Sequence, residues 1–182
     1  TTIAKGTCRY LAAHQATQTD AAIEAEPGKI LHEIRHGELA ARELVPHRPY
    51  YGTIDATPLF VVLVHEVWQR TGDNEFLAEL WPAVSRSLSW ISGELADEGF
   101  LSYPVDDDHE DGQLRHISWK DSNDGIVYPD GTHPSGQLAV AEVQGYAYDA
   151  LDRGVEIARE ANEHSRSLDL QDAASNLKER FD

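Results

Sequence analysis

Methionine is missing altogether from the 182 residues, and cysteine occurs once, as Cys8. A lone thiol excludes an internal disulfide and fits a reducing compartment, so a cytoplasmic location is expected. The missing methionine extends to the first position, so we expect a processed chain or a piece of a longer one. Basic residues are scarce: 15 Lys and Arg stand against 32 Asp and Glu, a net charge of −17. So acidic a surface repels phosphate backbones and anionic lipid, which excludes nucleic acid and membrane surfaces as expected partners. Long apolar runs are also lacking. The longest, PLFVVLV (58–64), is far short of a membrane span, and TTIAKGTCRYLAAH at the start has no signal-peptide pattern.

What is present suffices for one core. Hydrophobic residues make up 41% of the chain, and the acids are interleaved with them, so 1–182 reads as a single folded segment. Helical spacing over 3–16 turns Ile3, Leu11 and small residues inward. Thr57 then Pro58 resembles an N-cap and a first-turn proline, opening a helix over 58–71 whose LFVVLV core should be buried all round. Gly72 ends it, Asp73 caps a short helix near 74–80, and Pro82 starts another running to about 97. Helices over 137–162 and 168–181 close the chain, and the only extended pieces lie near 30–35 and 100–103. The fold class is therefore all-α, with five or six helices. Two long loops, 18–57 and 99–135, exceed the length usual in a compact domain, and they are where chemistry is expected.

Several patterns in those loops compete. HEIRH (32–36) matches the zinc pattern H-E-x-x-H, but Arg35 sits between the imidazoles and Gly37 follows at once, so a structural loop is the better reading. DDDHEDG (106–112) and DSNDG (121–125) invite calcium, yet neither places glycine sixth and glutamate twelfth as an EF-hand loop does. No metal or cofactor is expected. In HRPYYGTIDATP (47–58), Tyr50 and Tyr51 precede Asp55, which either caps the next helix or joins the rings in a sugar site, where aromatic faces meet C–H groups and acids take hydroxyl protons. Glu142, in LAVAEVQGY, is flanked by apolar residues, so it should be partly buried and want a partner. Gln144 and Gly145 follow, and a helical glycine suggests that something approaches closely there.

Five motifs then fall in order: PGKILHEIRHGE (27–38), PYYGTIDATPLF (49–60), TGDNEFLAELWPAV (71–84), SWKDSNDG (118–125) and AEVQGYAYDAL (141–151). Together they resemble the glucosidase domain of bacterial glycogen-debranching, amylo-α-1,6-glucosidase-like proteins, which belong to the six-hairpin glycosidases with (α/α)6 toroids. The resemblance implies hydrolysis of α-linked glucosides by a carboxylic acid and a carboxylate base, in an inverting reaction whose carboxyls stand about 6.5–9.5 Å apart. It implies Asp121 as the general acid with Asp124 as rival, Trp119 as a dry stacking wall, and Tyr50, Tyr51, Asp55, Lys120, Glu142 and Gln144 around the glucose subsite. The substrate would be an α-glucan or small glucoside.

A twelve-helix toroid needs upwards of about 200 residues at typical helix and loop lengths. Five or six helices therefore amount to roughly half a toroid, and nothing after residue 151 resembles the family's general-base motif. We expect the acid without the base, little hydrolysis by this chain alone, and apolar helix faces that favour self-association or the remainder of the barrel. The alternatives are a non-catalytic α-glucan-binding helical domain, or a zinc- or calcium-binding helical protein.

Overall fold

The computed structural model describes residues 2–42, 44, 48–105 and 114–182. The protein is all-α: among the described residues one two-stranded ribbon is the only sheet. Its helices are α1 (Thr2–Ala13), the single turn α2 (Glu38–Ala41), α3 (Ala56–Thr71), α4 (Asn74–Glu98), α5 (Ala141–Glu160) and α6 (His164–Phe181). The ribbon pairs β1 (Tyr103–Val105) with β2 (Gly136–Leu138), antiparallel, with Tyr103 opposite Leu138.

Short turns join α3 to α4 and α5 to α6. Gly72, at a φ of 62°, donates its N–H to the Trp68 carbonyl and ends α3, a left-handed closure that glycine makes without strain. Asp73 then caps α4 by accepting from the Phe76 N–H at 3.0 Å, and Lys5 pairs with the same carboxylate. The two hairpins lie side by side, α3 against α5 and α4 against α6, with α1 on α3 and α4. Residues 114–121 reach both hairpins: the Ile54 N–H donates to the Ile117 carbonyl just before α3, and Lys120 pairs with Glu142 in the first turn of α5. At the opposite end Asn74 bonds Glu160. Thus α3 and α5 start at the same end, and the described segments that lead into them from both long loops gather there.

The main core joins Phe60, Val64, Phe76, Leu80, Leu88, Ile91, Val143, Leu151 and Ile157 with their neighbours from every long helix. A smaller cluster of Ala16, Ala25, Leu31 and Tyr51 lies within the first long loop. That loop is tied down by Gln15, whose amide donates to the Gly28 and Ala83 carbonyls at 3.0 and 2.9 Å.

The structure departs from the sequence reading at several points. No break occurs at Pro82: α4 runs through it. The ring lies on the exposed face, so the cost is about 3 kcal/mol. Phe76, Leu77, Leu80, Val84, Leu88, Ile91 and Leu95 all remain buried on one continuous stripe. At about 1.5–3 kcal/mol for each such side chain, that burial dominates. Helix α3 opens at Ala56, because the Thr57 hydroxyl accepts from the Ile30 N–H at 3.0 Å instead of capping. Residues 137 and 138 belong to β2, which delays α5 until Ala141. Ile3 is 86% exposed, and Cys8 fills the α1 interface in its place, its thiol pushed up to about 11 by burial. Nor is α3 buried all round. Leu59 is 42% exposed, and Val62 and Leu63, one turn on, are half-buried, so this face of the helix opens to solvent.

Candidate functional site

The segment SWKDSNDG folds as a tight turn at the loop end of the hairpins. The Gly125 N–H donates to the Ser122 carbonyl at 2.8 Å, and a Cβ at Gly125 would stand 2.7 Å from the Lys120 carbonyl oxygen. Only glycine closes this turn. Asp121, Asp124 and Trp119 are exposed on it, whereas Ser118 just before them is buried.

Two contacts bring separated motifs together on this face. His32 Nε2 lies 3.8 Å from Asp121 Oδ2, which joins HEIRH to SWKDSNDG, and the same imidazole stands edge-on to the Tyr50 ring at 6.1 Å. Lys120 Nζ lies 3.2 Å from Glu142 Oε1 and 5.1 Å from the centre of the Trp119 ring, which joins SWKDSNDG to the start of α5. Glu142 is exposed, contrary to the expectation of partial burial, because Val143, Ala147 and Ala150 occupy the inward face of α5. It does have the partner it was expected to need. The backbone N–H at the helix start, then Lys120, hold its carboxyl below the usual range, so Glu142 presents a negative charge.

Asp55 is 8% exposed and precedes α3. It makes no side-chain cap. Its Oδ1 accepts from the Thr53 hydroxyl, while Oδ2 has no hydrogen bond among the described residues. A nearly buried carboxylate with one oxygen free, beside a helix N-terminus, can take a hydroxyl or a cation.

The remaining predicted site residues are engaged within the chain. Tyr50 is 1% exposed; its hydroxyl donates to Glu24 Oε1 at 2.6 Å and accepts from the Leu114 N–H at 3.0 Å. Burial and the Glu24 carboxylate push that phenol well up, so it stays protonated. Tyr51 packs in the small loop cluster and donates to the His14 carbonyl at 2.6 Å. Gln144, 3% exposed, accepts from the Leu101 N–H at 2.9 Å and donates to the Leu101 and Val140 carbonyls at 2.7 and 3.1 Å. Both tyrosines and Gln144 therefore position the backbone behind the face. Next to Gln144, a Cβ on Gly145 would meet nothing within 4 Å, so no contact among the described residues requires glycine there.

HEIRH is not helical. Glu33 bridges to Tyr50, His32 turns to Asp121, and His36 Nε2 lies 3.1 Å from the Tyr10 hydroxyl, so the two imidazoles part company. Among the described residues no three His, Cys, Asp or Glu side chains gather as a metal site would require. The acid run at 106–111 lies outside the described residues. No helix among the described residues is long and apolar enough to cross a membrane.

Sequence reasoning missed His32 as a partner of Asp121, since it weighed that residue only as a zinc ligand. It also missed a buried polar group behind the turn, where His116 Nδ1 lies 3.2 Å from the Tyr103 hydroxyl while His116 Nε2 and Ser118 Oγ make no hydrogen bond among the described residues. Burial, then Arg115 and His133, lower the His116 pKa, so the ring is held neutral. No periodicity marks a lone buried imidazole in a loop. Compared with known proteins, the chain matches no family model and no curated sequence.

Proposed function

We propose that this chain is part of an (α/α)6 glucosidase domain of glycogen-debranching type and that it contributes a glucoside-binding face built from Asp121, Trp119, Lys120, Glu142, Asp55 and His32. The observation that carries the reading is the meeting of three separated motifs at one end of the helices, through His32 with Asp121 and Lys120 with Glu142. The arrangement of the helices agrees with it. Two side-by-side hairpins with tight turns at one end and long loops at the other repeat the unit from which such a toroid is made.

On this reading Asp121 is the general acid that protonates the leaving glucosidic oxygen, and Asp124, on the same turn, is the rival. Trp119 offers an exposed ring to the C–H face of the sugar, and Glu142 and Asp55 accept its hydroxyl protons. Proton donation near neutral pH requires a carboxyl raised by burial or by a second carboxylate. Asp121 is exposed, so the exclusion of water around it would come from whatever closes over the face. The base would lie outside this chain, and the chain alone would bind without turning over. Binding without catalysis is also the second reading, a glucan-binding helical domain; it is favoured by the pairing of Asp121 with a histidine and not with a carboxylate.

Calorimetric titration with deoxynojirimycin, a cationic glucose analogue, tests both readings. Saturable binding that weakens at least tenfold in Asp121→Asn is expected, from the loss of a charge-assisted hydrogen bond worth roughly 1.5–3 kcal/mol. Binding of equal strength in the variant would remove Asp121 from the site, and the absence of binding at millimolar ligand would refute the glucoside reading for this chain.

A further inference from the structure

A cavity of about 410 Å³ lies between the loop around residues 19–29, the second half of α4 and the β1–β2 ribbon; Glu26, Lys29, Trp90, Glu94, Ser102 and Gln137 are among its walls. It shares no residue with the face just described.

Its charges are unusually placed. Lys29 is 2% exposed, yet its ammonium, with three protons to donate, has a single hydrogen bond among the described residues, at 3.4 Å to Glu26 Oε1, and stands 5.7 Å from the centre of the Trp90 ring. The other Glu26 oxygen accepts from Trp90 Nε1 at 2.9 Å, which fixes the indole. Glu94, also on the wall, is half-buried and has no hydrogen bond or ion pair among the described residues. Burial, then the Glu26 charge, raise its carboxyl. The Ser102 hydroxyl and the Gln137 amide add polar groups whose side chains are likewise unpaired among the described residues. Buried charge short of partners is costly, and one cavity here holds two such groups of opposite sign.

We propose that this cavity binds a neutral, hydroxyl-rich ring, a hexose unit, with one hydroxyl accepting from Lys29, another donating to Glu94, and the ring's C–H groups against Trp90. An anion would meet Glu24, Glu26, Glu94 and Glu98 together. A cation would face the Lys29 ammonium, and two of the four carboxylates are already engaged, Glu24 by the Tyr50 hydroxyl and Glu26 by Lys29 and the Trp90 indole. A diol both accepts and donates, so it serves both charges and adds none. The ligand class rests on the glucoside reading above; the residues do not.

Indole N–H resonances of the nitrogen-15-labelled chain separate the two sites, since Trp90 reports the cavity and Trp119 the Asp121 face. Titration with maltose should move the Trp90 signal saturably in the wild type and in Asp121→Asn. In Glu94→Ala, which breaks no bond of the fold, the Trp90 response should need at least roughly tenfold more maltose. A shift of Trp119 alone would overturn the cavity proposal and leave the glucoside face standing. A Trp90 response indifferent to Glu94→Ala, or one given by spermidine or glycine and not by maltose, would overturn it as well. Silence of both indoles would sink both readings.

Discussion

Gln144 separates a structural role from a ligand role. The side chain lies at 3% exposure in the second turn of α5 and satisfies both backbone groups of Leu101, a residue that is itself fully buried. Neither the N–H nor the carbonyl of Leu101 has another hydrogen bond among the described residues, whereas the Val140 carbonyl also accepts from the Val143 N–H. Gln144→Leu keeps the volume and removes the amide, so two buried backbone groups lose their partners. At about 1–3 kcal/mol for each, the variant should be destabilised by about 2–6 kcal/mol. For a domain of this size 1 kcal/mol moves the midpoint by about 2–4 °C, so a fall of the order of 10 °C is expected in a thermal melt followed by circular dichroism. Amide exchange at Leu101 should accelerate in step. A melt lowered by under about 1 kcal/mol, with weakened sugar binding, would refute the clamp and return Gln144 to the substrate.

Glycine substitutions on the same helix should split in sign. Gly145→Ala should raise stability by about 0.5–1 kcal/mol in urea unfolding, because its Cβ meets nothing, and any loss of sugar affinity would show that ligand approaches there. Gly154→Ala should instead lower stability by about 1 kcal/mol or more, since its Cβ would lie 2.8 Å from a methyl of the fully buried Leu88. The lowered pKa of His116 sets a pH window. Its stabilising contribution is complete above the ordinary imidazole value and is lost as pH falls from there through the folded-state value, because the unfolded chain takes up the proton first. The difference in urea midpoint between pH 7.5 and 5.5 should therefore shrink in His116→Phe. Lys120→Ala should leave the melt unchanged, because the pair it forms with Glu142 is solvent-exposed, but should weaken binding of maltose, a neutral sugar whose hydroxyls can accept from the ammonium.

Helix α4 shows what periodicity can tell. The stripe from Leu77 to Leu95 was legible in the sequence because its three- and four-residue spacing matches the helical turn. Pro82 misled, because the cost of a proline depends on which face it takes, and that is settled by the partners of the helix. The same limit explains α3. LFVVLV is apolar throughout, so sequence alone gave no means of telling that Phe60 and Val64 face the core while Leu59 faces solvent. Among the candidate site residues, the side-chain types were readable but their contacts within the chain were not. Tyr50, Tyr51 and Gln144 have the chemistry of ligand binders, and each is taken up by a backbone or side-chain partner distant in sequence, such as Glu24, His14 or Leu101. The pairing of His32 with Asp121 and the cavity beside Trp90 likewise arise from loop closure, which leaves no periodic trace.

A crystal structure of the chain soaked with deoxynojirimycin would test the central claim most directly. The account predicts ligand density on the turn at residues 118–125, with a hydroxyl or the ring nitrogen about 2.6–3.2 Å from an Asp121 oxygen and a ring face against Trp119. Density that avoids Asp121, Lys120 and Glu142 at a ligand concentration that saturates the calorimetric signal would contradict it.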